Sequence, residues 1–184
     1  MYLKLINDKF YESTVYVKEP DNIAVDVNFL RGRLITQSLV LPIVYTTNGK
    51  SGDEVRDFLD TSYPLMSKRF VELLRAGGVD NLQLFPAVIK SEVDGSVWED
   101  YYAVNVLGLI ACADMDNSDY DEIMPGHYRF RELAIQAEKA NDALLFRLQE
   151  DATIMVIQKS VGQFIRSQDP DKKLKGWSVG KIIQ

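Results

Sequence analysis

The sequence predicts an α+β fold, a single domain spanning residues 1–184. In it, a mixed β-sheet with a buried central strand packs against two amphipathic helices. Three observations lead there. Apolar residues make up 46% of the 184-residue chain, enough for a packed core. One stretch, "YYAVNVLGLIACA" from Tyr101 to Ala113, is apolar on both of its alternating faces. Two other stretches each join an extended run to residues spaced along one face of a helix, which suggests a strand–helix–strand repeat.

The elements follow in order. Residues 1–60 form an irregular, β-rich region, with short strands in "YLKLI" and "STVYVKE". "LRGRLITQSLVLPIVYTT" reads as two extended pieces divided at Pro42, and "TNGKSGDE" as a loop. In residues 61–184 the pattern changes. "PLMSKRFVELLRAGG" places Met66, Phe70, Leu73 and Leu74 on one helical face, with Ser67 able to cap the start and Gly77–Gly78 able to end it. "NLQLFPAVI" follows as a strand, and "EVDG" as a hairpin turn.

In the central stretch, Tyr102, Val104, Val106, Ile110 and Cys112 would face one side, and Leu107, Leu109, Ala111 and Ala113 the other. "HYRFRELAI" and "ALLFRLQ" read as further strands. "TIMVIQKSVGQFIRS" then repeats the extended-to-helical pattern, and "GWSVGKII" supplies a last strand. Shifting the chain on itself superposes Met66, Phe70, Leu73 and Leu74 on Ile157, Val161, Phe164 and Ile165.

Charge and cysteine content narrow the function. A net charge of −6 disfavours a general nucleic-acid binder, which needs clustered Lys and Arg, and would attract a basic partner. The single cysteine, Cys112, allows no internal disulfide and no zinc quartet, which points to the cytoplasm. The opening "MYLKLINDKFYES" is too interrupted for a signal peptide, and no apolar run is long enough to span a bilayer.

The densest functional signal is "DMDNSDYDE", Asp114 to Glu122, with five carboxylates and no base. As a calcium loop it fails. Counting from Asp114, Ser118 falls at position five, Asp119 where Gly is needed and Pro125 where Glu is needed. As a catalytic pair it lacks any sign that two carboxylates sit in different environments. Cys112 lies on an apolar face and reads as structural, and His127 follows the Pro125–Gly126 turn. No cofactor or metal motif is present. Two readings of the run stand. It is a solvated loop rich in turn formers, or it is a partner-facing surface of Asp114, Asp116, Asp119, Asp121 and Glu122 with Tyr120 as an aromatic anchor. A second candidate surface is Trp98 with Glu99 and Asp100, and its plain alternative is a core tryptophan.

"PLMSKRFVELLRAGGVDNLQLFPAVI", "YYAVNVLGLIACADMDNSDY", "LLFRLQE" and "TIMVIQKSV", in this order, resemble immunity family eleven of bacterial polymorphic toxin systems. The resemblance covers about Asp60 to Ile183. It implies a small cytoplasmic protein, encoded beside a secreted toxin, that protects the producing cell by binding that toxin. It carries over no binding residues. The expected function is therefore that of an antitoxin without catalysis, with a cognate toxin domain, basic in character and a nuclease among the candidates, as partner. Neither nucleic acid nor membrane is an expected partner. The alternatives are a small hydrolase using acidic residues, or a non-catalytic adaptor.

Overall fold

Ser67 is the point at which strand becomes helix. In the computed structural model, which describes residues 1–8 and 15–183, its hydroxyl accepts the Phe70 N–H at 3.2 Å and starts helix α1, Lys68–Ala76. Gly78, at φ +96°, ends it with a backbone that residues bearing a Cβ avoid. Phe70, Val71 and Leu74 are the buried face. Met66 is buried too, but in the preceding strand β5, Leu65–Ser67, rather than on the helix. Helix α2, Lys159–Gln168, repeats the arrangement after strand β12, Met155–Gln158, with Val161, Gly162 and Ile165 buried. Its cap position is Gln158, whose side chain makes no capping bond.

Among the described residues the strands form three sheets. The first runs β2 (Val17–Lys18), β3 (Ile43–Thr47), β6 (Leu82–Ser91), β7 (Val97–Val106), β5, β4 (Phe58–Leu59). The second runs β13 (Trp177–Lys181), β1 (Tyr2–Asn7), β12, β11 (Leu145–Leu148), β8 (Leu109–Ile110). A separate ribbon pairs β9 (Asp119–Met124) with β10 (His127–Glu132). This is a mixed α+β architecture.

The repeat read from the sequence is present in space, with one change of connection. In the first sheet, β5 and β6 flank β7 and are both antiparallel to it, while α1 joins them and β4 lies outside β5. In the second, β12 and β13 flank β1 and are both antiparallel to it, while α2 joins them and β11 lies outside β12. The middle strand follows its unit through a hairpin in the first sheet. In the second it is β1, the first strand in chain order. The two units are thus circular permutations of each other. Phe70 and Leu74 of α1, Val161 and Ile165 of α2, Val104 and Val106 of β7, and Leu5 of β1 bury one another in a shared core.

The central stretch departs from expectation. It is two strands, not one. β7 is interior and buried from Ala103 to Val106, but it stops there. Gly108, at φ +120°, turns the chain out of the first sheet, and β8 then pairs in parallel with β11 of the second. Asn81 holds the break, its side-chain amide donating to the carbonyls of Leu107 and Leu145. The expected second apolar face is therefore lost, and Leu109 and Ala111 are exposed.

The N-terminal region also differs from expectation. Residues 30–41 form no strand. The Gln83 side chain accepts the Ile35 N–H at 2.9 Å and donates to the Ile35 carbonyl at 2.8 Å, doing what a neighbouring strand would do. Of "STVYVKE", Ser13 and Thr14 lie outside the described residues, and only Val17–Lys18 pair as a strand.

Candidate functional site

The acidic run is not simply a loop. From Asp119 onward it is strand β9, turned back at Pro125–Gly126 onto β10, so that Tyr120 lies opposite Phe130, Asp121 opposite Arg129, and Glu122 opposite Tyr128. Strand alternation then sorts the side chains. Tyr120, Tyr128 and Phe130 share one face, with Tyr120 5.2 Å from Tyr128 and 5.8 Å from Phe130, centroid to centroid. Phe130 and Met115 pack on the core of the second sheet, beside Cys112, Leu133 and Phe146. This pins the aromatic face to the body and turns Asp119 and Asp121 to the opposite, outward face.

On the outward face, Arg131 spans two of those carboxylates. Its Nη2 and Nε reach Asp119 at 2.5 and 2.8 Å, and its Nη1 binds Asp121. The guanidinium holds the Asp119 carboxyl below the usual carboxylate range, and the two aspartates raise the pKa of Arg131. Of the negative charge that looked unbroken in sequence, the part on Asp119 and Asp121 is therefore half-neutralised from the opposite strand.

The other acids differ among themselves. Asp114 accepts the Asn117 amide at 2.8 Å, and Glu122 accepts the Gly126 N–H at 3.1 Å across the turn. Asp116 is exposed. At the ribbon's tip, Ile123 and Met124 are each 56% exposed. Neither these two nor Arg131 was singled out in the sequence. The signal was available, because two alternating runs around Pro-Gly are a hairpin pattern.

Trp98 sits on β7 opposite Ile89, half-buried against the core formed by Phe29, Tyr45 and Tyr101. Glu99 and Asp100 beside it are exposed. Of the neighbouring acids, Glu92 pairs with Lys18 at 2.6 Å. Asp94 accepts the N–H groups of Ser51 and Ser96, which lower its pKa and make it a staple of the β6–β7 turn. Trp98 and the acidic ribbon rest on different cores, so they form two surfaces rather than one constellation.

Groups suited to catalysis are not assembled there. Cys112 is fully buried, and burial pushes its thiol up to about 12. His127 is exposed at the start of β10. Among the described residues, no three His, Cys, Asp or Glu side chains are grouped to hold a metal. One carboxyl is tuned towards neutrality. Burial raises Asp60 to about 7, against the opposing pull of Arg147 3.9 Å away. It lines a cleft with Leu30, Thr61, Ser62 and Thr153, and no second carboxylate lines that cleft among the described residues.

The fold and its outward ribbon thus define an α+β protein built on a permuted strand–helix repeat, with its most distinctive polar groups on the surface. The immunity protein family model (Imm11) matches residues 10–183, and the chain belongs to that family. The match takes in the N-terminal region, where the sequence offered no recognisable motif. No curated protein matches the chain.

Proposed function

We propose that the protein is an antitoxin, which binds a cognate toxin domain in the cytoplasm and neutralises it by covering its active site or substrate groove, without catalysis. The observation that carries this is the family match over nearly the whole chain. The ribbon supports the mode of binding. Together with the residues that lead into it, it offers exposed carboxylates at Asp116, Asp119, Asp121 and Glu122, with Asp114 half-buried beside them, near an aromatic layer containing Tyr120, and an apolar tip at Ile123 and Met124. Acidic side chains on a rigid, preformed element suit a basic toxin such as a nuclease, whose phosphate groove they would fill. The margin of Trp98, Glu99 and Asp100 is a second contact surface in this reading.

Co-expression with the toxin gene beside its own should restore growth, and the two proteins should co-purify at equal stoichiometry. Protection at far below one copy per toxin, with no complex recovered, would refute binding as the mechanism.

A further inference from the structure

Where α2 ends, residues 169–176 turn into β13 and leave a concave cleft of about 520 Å³. That volume falls within the roughly 300–1,000 Å³ typical of small-molecule sites. Its walls carry Arg166 from the last turn of α2, Lys172 and Lys175 from the turn, Trp177 from β13, and the carboxylates Asp8 and Asp169.

Three features distinguish this cleft. The first is charge. On a chain of net charge −6, none of Arg166, Lys172 and Lys175 forms an ion pair among the described residues. The Lys175 ammonium reaches only the Lys172 carbonyl, at 3.4 Å. Asp8 and Asp169 in the same wall offset part of this charge, and the two oxygens of Asp169 are engaged by the N–H groups of Lys173 and Leu174 at 2.8 and 3.0 Å. The second is orientation. The Arg166 guanidinium lies over the Trp177 ring, 5.8 Å from its centroid. This cation–π contact holds the guanidinium at the cleft wall and leaves its N–H groups for an oxyanion. The third is backbone conformation. Lys172 is left-handed at φ +54°, which costs energy for a residue with a Cβ, and non-glycine residues held this way concentrate at functional sites.

We propose that this cleft binds a small phosphate-bearing molecule, its oxygens held by the Arg166 fork and by the ammonium groups of Lys172 and Lys175. Three cations against Asp8 and Asp169 leave the cleft a net charge of +1, and the Arg166 fork with two ammonium groups offers more donors than the two oxygens of a carboxylate engage, whereas a phosphate monoester presents three terminal oxygens. An extended nucleic acid would meet the repulsion of the whole acidic chain, but a small ligand responds to charges within a Debye length of about 8 Å. Trp177 does not offer its ring to a base. Arg166 covers it, and Phe70 lies 5.6 Å away. Recognition is therefore of the phosphate rather than of what it is attached to. The assignment does not depend on toxin binding.

The test is titration of the unmodified protein with inorganic phosphate and with pyrophosphate, at ionic strength held constant with sodium chloride. The readout is the indole N–H resonance of Trp177 in nitrogen–proton NMR spectra. A saturable shift is expected. It should need at least tenfold more ligand in Lys172→Gly and in Arg166→Gln. Glycine accepts φ +54° freely, so Lys172→Gly removes the ammonium while keeping the turn, and its melting temperature should not fall. A response no larger than that to sodium chloride, or one unchanged in both variants, overturns the proposal. So does citrate binding as tightly as pyrophosphate, because the cleft would then be a general carboxylate site.

Discussion

Arg69 grips both oxygens of the Asp57 carboxylate, through Nε at 2.5 Å and Nη2 at 2.6 Å. Asp57 is 1% exposed, and it also accepts the Ser67 hydroxyl at 2.6 Å and the Lys175 N–H at 2.7 Å. One carboxylate thus ties the start of α1 to the loop that enters β13, joining the two repeat units. Asp57→Ala should cost on the order of 2–3 kcal/mol, the scale of losing buried hydrogen bonds to a charged group. The half-exposed Arg69 can return to water, so the loss should stay below that of a fully buried ion pair. Urea denaturation measures it, and a cost under about 0.5 kcal/mol would show that the tie is not structural.

Asp60 supplies a pH dependence of defined sign. Its carboxyl is raised from 3.8 to about 7 by burial. The folded state therefore holds the proton more tightly than the unfolded state does. The stability it contributes is full below pH 3.8 and is lost as pH rises to about 7. Asp60→Asn cannot titrate, so its stability relative to the wild type should rise across that window and level off above it. Urea midpoints at pH 4, 5.5, 7 and 8 test this, and parallel curves would place the Asp60 pKa near its ordinary value.

Cys112 should behave as a small core residue. Cys112→Ser buries a hydroxyl and should cost on the order of 1–2 kcal/mol, while folded protein keeps its protective function. In the native state, a thiol reagent at pH 8 should label it only as fast as the protein opens. Loss of protection with an unchanged melting temperature would reveal a role beyond packing.

Steering by the ribbon predicts opposite effects on its two strands. Replacing Asp114, Asp116, Asp119 and Asp121 with Asn should slow toxin association at low salt, and the difference should shrink at high salt. Arg131→Gln should speed it, because Asp119 and Asp121 lose their neutralising partner. Stopped-flow association rates at two ionic strengths decide the matter. If neither change affects the rate at low salt, the margin around Trp98 becomes the surface to test.

Met124→Ser acts differently. It removes apolar surface from the ribbon's tip without changing charge. It should leave the association rate within about twofold and accelerate dissociation by roughly tenfold, since packed contacts set mainly the off-rate. An unchanged dissociation rate would exclude the tip from the interface.

What the sequence revealed depended on whether the cause was local. The α1 cap at Ser67, the stop at Gly78 and the strand after each helix could be read because propensity and periodicity act within a few residues. The break at Gly108 was hidden, because the apolar residues before and after it join different sheets, and in sequence such a run looks the same as one strand buried on both faces. The missing strand at residues 30–41 depended on Gln83, distant in sequence, replacing a ladder. At the ribbon, the acids were legible but their state was not. Arg131 stands on the opposite strand, and only the register places it between Asp119 and Asp121.

The permuted repeat sets an order in time. On a ribosome, the strands of the first unit, β4 to β7, are complete once Val106 has emerged. The second sheet is made from both extremes of the chain. β1 precedes every other described strand, yet its two neighbours, β12 and β13, follow all the rest. Until then β1 has two open edges and no partner. Such late, long-range closure is slow compared with hairpin formation. The nascent protein therefore emerges with one unit able to form and the other waiting for β13, Trp177–Lys181.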